Sequence, residues 1–420
     1  MMSRAVSVFI AAVVTVLATS PLSTTASAAS TVSLPYLAVI DAGSSGTRLT
    51  LYANTSGMLR PRATYVAPTT SRGLSSFELT PQQAGPESIT PLLTQLDVYL
   101  AQNGISISSV PVSLLATAGM RDVRRDDPAA AQAILDSTAQ TLAASGHLVT
   151  DNRILPGEQE ASLAWLDANV VAGTLDHASS SIGTLEVGGA SAQVAFRSPT
   201  THGKAVSQLR VNGTDVFVVA VSYLRLGGSD ARDLMQAAND AGSFCFPNNV
   251  AGSTPVIYVP KAVRPVNAST AMYSWSRCAH AYDTVITSVG AVRTTAAPVP
   301  PAQLRTLPGF AGTTFLGLGT IPLIFTTLGA AGAKDIPAAV RAKIAATCMG
   351  PGAWTHSAAL YPPSLASFAD TLCSTSTYEY ELAFSTKGVG IRSDHFTVLD
   401  PNAPQQPAWT SGYAITRLHP

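Results

Sequence analysis

A turn rich in glycine and hydroxyl side chains, set between two strand-like runs, constrains this chain more than any other feature. The apolar run Ala38–Ile40 ends in Asp41, residues 43–47 read Gly-Ser-Ser-Gly-Thr, and a second strand-like run follows over Arg48–Tyr52. Glycines let backbone N–H groups converge and the hydroxyls add donors, so the turn is suited to surround a phosphate. Because Asp41 would repel a phosphate, its position indicates a divalent cation between the two.

The same pattern occurs a second time. Residues 183–196 again read as a strand with an acidic residue, Glu186, then a turn containing Gly188 and Gly189, then a second strand. One Gly/Ser-rich hairpin is commonly only a turn. Two of them about one domain apart are typical of a duplicated fold that holds the phosphates of a nucleotide between its halves.

These hairpins and three further segments resemble the five motifs of the apyrase family, the nucleoside triphosphate diphosphohydrolases of the CD39 and guanosine diphosphatase type. In family order the segments are Asp41–Arg48, Leu115–Arg121, Ile154–Ala161, Gly183–Phe196 and, less specifically, Ser222–Gly227. Weaker matches later in the chain, such as Trp409 with Gly412, extend the resemblance over most of its length. The resemblance points to a secreted, bacterial member of that family.

The resemblance implies an α/β fold with two actin-like, ribonuclease-H-type domains and an active site in the cleft between them. We expect a mixed five-stranded sheet in each domain. We expect the first domain over residues 30–156 and 400–420 and the second over residues 157–399. The apolar spacing independently predicts helices over residues 91–100 and 128–144.

The implied activity is hydrolysis of nucleoside tri- and diphosphates to the monophosphate and orthophosphate by attack of water. The family pattern, read from Gly157, places the catalytic base at Glu160, with Glu158 as the alternative. A helix beginning near Glu158 would also be favoured simply by a carboxylate in its first turn. Ser191 and Gln193 resemble the residues that hold the attacking water.

The remaining motif residues resemble phosphate and cation ligands. We expect Asp41 and Glu186 to position Ca²⁺ or Mg²⁺ through water molecules. The resemblance implies phosphate contacts from Gly43, Ser44, Ser45, Gly46, Thr47, Arg48, Thr117, Ala118, Gly188, Gly189 and Ala190.

Position 186 departs from the family, which has aspartate there. Glutamate is longer by one methylene, so the cation is expected to shift by about 1 Å or to be ligated directly, and Ca²⁺ suits such a displaced site better than Mg²⁺. Ala192 replaces a threonine of the family, a change that we expect to matter less because its neighbours point at the water.

Two assignments stay open from the sequence. Arg121 lies in the second motif, but it also begins a run of arginines and aspartates that is typical of a solvated, self-paired helix start. Tyr361, Phe368 and Tyr378 are candidates for binding the nucleobase, although the core is the better assignment for any single aromatic residue.

The N-terminal residues indicate export. Residues 1–29 carry one early arginine, an apolar run and the small-residue pattern Ala26-Ser27-Ala28, which predicts a cleaved signal peptide rather than a stable membrane anchor. The formal net charge is zero and 12% of residues are charged, so nucleic acid is not an expected partner.

Four cysteines lie in the second half of the chain. In an exported protein an even number favours disulfides, and of the three connectivities we expect sequence neighbours to pair, Cys245 with Cys278 and Cys348 with Cys373. Zinc binding is the weaker interpretation because no two cysteines have the close spacing of a metal knuckle.

Two alternative functions remain. An exopolyphosphatase or guanosine pentaphosphatase would use similar hairpins, but the export signal, Arg48 and the Ala118–Arg121 segment favour an apyrase. A nucleotide-binding protein with impaired catalysis is the second alternative, and Glu186 is its support.

Overall fold

The first glycine-rich hairpin forms the centre of a mixed five-stranded sheet. The computed structural model describes residues 35–69, 73–247, 272–289, 299–350, 353, 359–360, 369–403 and 405–420. The strands are β1 (Tyr36–Ala42), β2 (Thr47–Ala53), β3 (Arg62–Val66), β4 (Val112–Ala116) and β5 (Val149–Ile154). Their order is β3-β2-β1-β4-β5, with β1 antiparallel to β2 and parallel to β4.

The second hairpin forms the centre of a second sheet. Its strands are β6 (Gly183–Val187), β7 (Ser191–Arg197), β8 (Val206–Val211), β9 (Thr214–Leu224), β10 (Phe315–Gly319) and β11 (Phe396–Val398). The order β11-β10-β6-β7-β9-β8 repeats that of the first sheet, with β8 added at one edge. The predicted pair of α/β domains is therefore confirmed, but the expectation of five strands in the second sheet is wrong, because β8 and β9 form a hairpin that extends it.

Helices connect and cover the strands, as parallel neighbours require. They are α1 (Thr90–Gln102), α2 (Ala118–Asp126), α3 (Pro128–Ala144), α4 (Gly157–Ala172), α5 (Gly228–Ala238), α6 (Trp275–Val289), α7 (Ile321–Thr327), α8 (Ile336–Cys348), α9 (Leu372–Phe384) and α10 (Trp409–Leu418). The predicted helices over residues 91–100 and 128–144 are confirmed. Local chemistry sets some of their ends: Asp127 caps α3 by accepting a hydrogen bond from the amide of Ala130, and Gly173 ends α4 with a left-handed φ of 67°.

One hydrophobic cluster contains residues from both sheets. Val39 on β1 and Leu318 on β10 are buried in it together with Leu163 on α4 and Trp409 on α10. At the contact between the two helices, a Cβ on Gly412 would lie 2.0 Å from the carbonyl oxygen of Leu163. The two helices thus pack backbone to backbone beside the first sheet. The residue boundaries of the two domains stay a prediction.

The second domain holds both disulfides. Cys245 is bonded to Cys278 and Cys348 to Cys373, as predicted. All four residues are wholly buried in the hydrophobic cluster of the second sheet. The first bond joins the short 3₁₀ helix Asp240–Cys245 to α6, and the second joins α8 to α9.

The predicted signal peptide, residues 1–29, lies outside the described residues. Within the part of the chain that the structure describes, none of the helices combines the length and the apolar character needed to cross a bilayer.

The close contact at Gly412 generates a stability prediction. We expect Gly412→Ala to destabilise the protein by about 1–3 kcal/mol, because the new methyl group overpacks the α4–α10 contact. Urea unfolding measures the change. Gly332→Ala is the matched control, since a Cβ there meets nothing within 4 Å, and equal midpoints for the two variants would contradict the packing argument.

Candidate active site

The two glycine-rich hairpins have the same internal geometry. The amide of Gly43 donates to the carbonyl of Gly46 at 3.0 Å, and the amide of Gly188 donates to the carbonyl of Ser191 at 2.9 Å. In strand register Asp41 lies opposite Arg48, and Glu186 lies opposite Gln193. The second hairpin thus repeats the first, with a neutral amide at the position of the arginine.

The carbonyl groups of the second turn are tied to the N-terminus of α5. Gly188 O accepts from Gly228 N at 2.8 Å, and Gly189 O accepts from Ser229 N at 3.0 Å. Because a trans peptide points its N–H away from its C=O, the amides of Gly189 and Ala190 face away from α5. This leaves two neighbouring N–H groups on the side of the turn away from α5, a geometry that can bind an anion; the predicted phosphate contact stays a prediction.

The first turn is arranged in the same way. A Cβ on Gly73 would lie 2.5 Å from Gly43 O and 2.6 Å from Ser44 O, so these carbonyls face the segment at Gly73. On its other side Ser44 approaches the second hairpin, because a Cβ on Gly189 would lie 2.8 Å from Ser44 Oγ. The two turns therefore face each other across the cleft.

The three residues predicted to be catalytic meet at this cleft. Glu160, in the first turn of α4, accepts from Arg121 Nη1 at 2.7 Å and from Gln193 Nε2 at 3.4 Å through Oε2. Ser191 Oγ accepts from Gln193 Nε2 at 2.6 Å. The structure therefore brings Glu160, and not Glu158, into one hydrogen-bonded cluster with Ser191 and Gln193.

Two further residues belong to this cluster: Arg121, whose assignment the sequence analysis left open, and Ser222, which it did not assign to the site. Arg121 is 8% exposed and paired with Glu160, so its interpretation as a solvated, self-paired residue is wrong, although Arg125 does pair with Asp122 on the same helix. Ser222, opposite Gln193 in strand register, accepts from Gln193 Nε2 at 3.3 Å. Its place in the fifth motif was the only sequence signal for Ser222.

Gly157 makes room for the cluster. A Cβ at this position would lie 2.2 Å from Ser222 Oγ and 3.6 Å from Arg121 Cζ. The glycine that begins α4 is therefore required by the close approach of β9, and it lets the first turn of the helix present Glu160 to the cleft.

Not every predicted phosphate ligand faces the cleft. The Thr47 hydroxyl accepts a hydrogen bond from Ser88 at 2.9 Å, and Thr47 has no exposed surface, so its hydroxyl does not face the cleft. Arg48 keeps 47% of its side chain exposed, 3.5 Å from Asp41. Thr117 and Ala118 form the buried start of α2, where Thr117 N donates to Ala42 O at 3.1 Å.

The carboxylates of the cleft fit a divalent cation. Burial raises the pKa of Asp41 to about 7, against the opposing charge of Arg48. Burial, with the negative charges of Glu160 and Asp41, raises the pKa of Glu186 to about 8. Glu186 Oε2 is buried without a hydrogen-bond partner, and a bound cation would compensate the charge of this carboxylate.

Direct ligation by several side chains is not what this arrangement offers. Among the described residues, no group of three or more His, Cys, Asp or Glu side chains is placed to hold a metal ion. Asp41 and Glu186 come from different hairpins, and their predicted role in holding a cation through water molecules stays a prediction.

Of the three candidate base-binding residues, the structure describes Tyr378. Tyr378 is wholly buried and its hydroxyl donates to the carbonyl of Leu226, with its ring 5.2 Å from that of Tyr282. It therefore belongs to the core and offers no ring face to a base. Tyr361 and Phe368 lie outside the described residues.

Comparisons with known proteins show which family model and which relatives the chain is similar to. A sequence model of the GDA1/CD39 (nucleoside phosphatase) family matches residues 28–419. The chain is 32% identical over 167 residues to ectonucleoside triphosphate diphosphohydrolase 8 of Rattus norvegicus, covering 37% of this chain and 33% of the relative. It is 32% identical over 234 residues to probable apyrase 5 of Arabidopsis thaliana, covering 53% of this chain and 45% of the relative. The matched stretches thus span less than half of these relatives.

The fold is similar to that of a solved structure. The crystal structure of nucleoside triphosphate hydrolases from Neospora caninum matches with a TM-score of 0.58 at 14% identity, covering 91% of this chain and 92% of that chain. The similarity supports the two-domain α/β architecture.

The raised pKa of Glu186 generates a pH prediction for the protein in EDTA. The folded state holds the proton of Glu186 up to about pH 8, whereas the unfolded chain releases it near its ordinary value, so stability falls as pH rises between these two values. We expect the unfolding midpoint to drop by roughly several degrees from pH 5.5 to 8.5, and Glu186→Gln to reduce that drop. Parallel pH profiles for the two proteins would contradict this account.

Proposed function

Since this chain belongs to the GDA1/CD39 (nucleoside phosphatase) family, we propose that it hydrolyses nucleoside tri- and diphosphates to the monophosphate and orthophosphate. The observation that carries the proposal is the pair of facing glycine-rich turns with Glu160, Ser191 and Gln193 hydrogen-bonded beside them. One turn alone would be compatible with many anion sites. Two turns and an adjacent carboxylate supply both a phosphate cradle and a base.

The turns would bind the terminal phosphoryl group. The amides of Gly189 and Ala190 point away from α5, and Ser44 lies across from them. Ser45 and Arg48 are exposed at the first turn. Donors from both sides would spread positive potential over the phosphoryl oxygens and orient the phosphorus for attack.

The attacking water would lie beside Glu160. Ser191 and Gln193 hold the water, and Glu160 accepts its proton as the new P–O bond forms and the bond to the bridging oxygen breaks. The bridging oxygen leaves with the nucleoside di- or monophosphate, and orthophosphate is the second product. Repetition on the diphosphate gives the monophosphate.

Asp41 and Glu186 are the residues that would hold a divalent cation, Ca²⁺ or Mg²⁺. When bound, it would neutralise charge on the phosphate oxygens. The buried, unpartnered Oε2 of Glu186 supports this assignment.

We further propose that the protein acts outside the cytoplasm. The signal-like N-terminal sequence and the two buried disulfides support export, because disulfides persist in oxidising compartments. Nucleoside phosphates would then be its extracellular substrates.

Phosphate release from ATP, ADP and polyphosphate, each with and without EDTA, tests the function. We expect release from both nucleotides and its loss in EDTA. Release from polyphosphate alone would favour the exopolyphosphatase alternative, and nucleotide binding without release would indicate impaired catalysis.

The proposed base generates a second, sharper test. We expect Glu160→Gln to lower kcat by roughly a hundredfold or more while nucleotide affinity stays close to that of the wild type, since the variant keeps the shape of the side chain but cannot accept the proton. Glu158→Gln is the matched control from the same helical turn. A fall in kcat for Glu158→Gln with Glu160→Gln unaffected would move the base to Glu158.

The longer carboxylate at position 186 generates a prediction about the cation. We expect Ca²⁺ to support wild-type activity at least as well as Mg²⁺, because Ca²⁺ tolerates irregular geometry, and we expect Glu186→Asp to shift the preference toward Mg²⁺ or to raise kcat. Rates are measured over a titration of each metal. A strong Mg²⁺ preference that Glu186→Asp leaves unchanged would show that this residue does not set the cation site.

A further inference from the structure

We propose that Arg121 is a positioning residue that determines which atoms of Glu160 and Ser191 are available to the attacking water. The inference rests on the proposed function, because it concerns the same water. It adds a role for a residue on α2, which belongs to neither hairpin and carries none of the roles assigned above.

The guanidinium of Arg121 is held by three acceptors. Nη1 donates to the carbonyl of Leu155 at 2.9 Å and to Glu160 Oε2 at 2.7 Å, and Nη2 donates to Ser191 Oγ at 3.0 Å. Arg121 and Glu160 have 8% and 9% of their side chains exposed. A guanidinium carries only donors in a rigid plane, so each partner is obliged to act as an acceptor.

Ser191 is thereby restricted to donating its own hydrogen. Its Oγ accepts from Arg121 Nη2 at 3.0 Å and from Gln193 Nε2 at 2.6 Å. The amide nitrogen of Gln193 also faces Glu160 Oε2 at 3.4 Å, which agrees with its role as a donor. Because a hydroxyl has two acceptor sites and one hydrogen, Ser191 can only offer that hydrogen to a further group.

The contacts of Glu160 determine which of its two carboxylate oxygens can accept a proton from water. Its Oε2 accepts from Arg121 and Gln193, so Oε1 is the oxygen left to take a proton from water. A water between them would accept from Ser191 and donate to Glu160 Oε1. One of its lone pairs is then free to attack phosphorus.

Without Arg121 this arrangement has a competing state. Ser191 would be able to turn its hydrogen toward Glu160, and the two side chains would satisfy each other in place of the water. With Arg121 and Gln193 at the two acceptor sites of Ser191, the hydrogen of Ser191 is fixed in the one remaining direction. A lysine supplies a single ammonium group in place of the two-pronged fork, so it would replace the contact to Glu160 without the contact to Ser191.

A kinetic double-mutant cycle tests the role on nucleotide hydrolysis. We expect Arg121→Met to lower kcat by about a hundredfold with KM changed by less than about threefold, since the residue acts on the water and not on nucleotide binding. We expect Arg121→Lys to recover only part of the loss. In the Ser191→Ala background, removing Arg121 should cost at least about tenfold less than in the wild type, because no serine hydrogen is left to misdirect.

Arg125→Met is the matched control. Arg125 lies on the same helix, keeps 40% of its side chain exposed and pairs with Asp122 and Asp126, so its loss should leave kcat and KM unchanged. Additive losses for Arg121→Met and Ser191→Ala would overturn the proposal. So would a large rise in KM for Arg121→Met, which would make Arg121 a phosphate ligand.

Thermal unfolding tests the pairing independently of any substrate. Arg121→Met leaves the Glu160 carboxylate buried without its partner, so the midpoint should fall by roughly 5 °C or more, and adding Glu160→Gln should recover most of that fall. Equal midpoints for Arg121→Met and the double variant would overturn the pairing. If the wild type releases no phosphate from nucleotides, the proposed function fails, and these midpoints alone decide whether Arg121 holds Glu160.

Discussion

Burial of carboxylates close to one another at the cleft is the constraint on which this site depends. Burial raises the pKa of both Asp41 and Glu186, and the negative charge of Glu160 raises each of them further. Arg121 compensates Glu160 at 2.7 Å, and Arg48 lies 3.5 Å from Asp41. Glu186 has a buried oxygen without a hydrogen-bond partner, so a cation at this point would complete the charge balance and leave the phosphate a positive surface to bind.

The two hairpins are held in place by the same kind of backbone hydrogen bond, but they carry different side chains. The carbonyl that follows Asp41 is held by Thr117 N at 3.1 Å, and the carbonyl that follows Glu186 is held by Thr320 N at 2.9 Å, each at the end of the neighbouring parallel strand. The turns are therefore fixed alike. The first half adds exposed cationic and hydroxyl groups, whereas the second adds Ser191 and Gln193, which the proposed function assigns to the attacking water.

How much the sequence could predict follows from which features are local. Strands, turns and the helix at Glu160 are local, so the order of the motifs predicted the duplicated fold, and proximity in sequence predicted the cysteine pairing. The burial of Arg121 and the approach of Ser222 depend on contacts between α2, α4 and β9, which spacing does not encode. The direction of the Thr47 hydroxyl was not predicted from the motif, although alternate residues of a strand face opposite sides. Gly46 and Arg48 share one face of the hairpin, and the Thr47 hydroxyl lies with Ser88 on the other.

The same alternation bears on the two departures from the family pattern. Ala192 occupies the register position of Thr47 in the second hairpin and is wholly buried, so the loss of a hydroxyl there leaves the cleft unchanged.

The substitution at Glu186 is different, because this side chain faces the cleft. The carbonyl of the next residue, Val187, accepts from both the amide and the hydroxyl of Thr320, at 2.9 and 3.1 Å, so the backbone has little freedom to retreat from the cleft. The extra methylene must then be accommodated by the side chain itself. On the proposed function, the substitution would therefore change the position of a bound cation more than that of the strand.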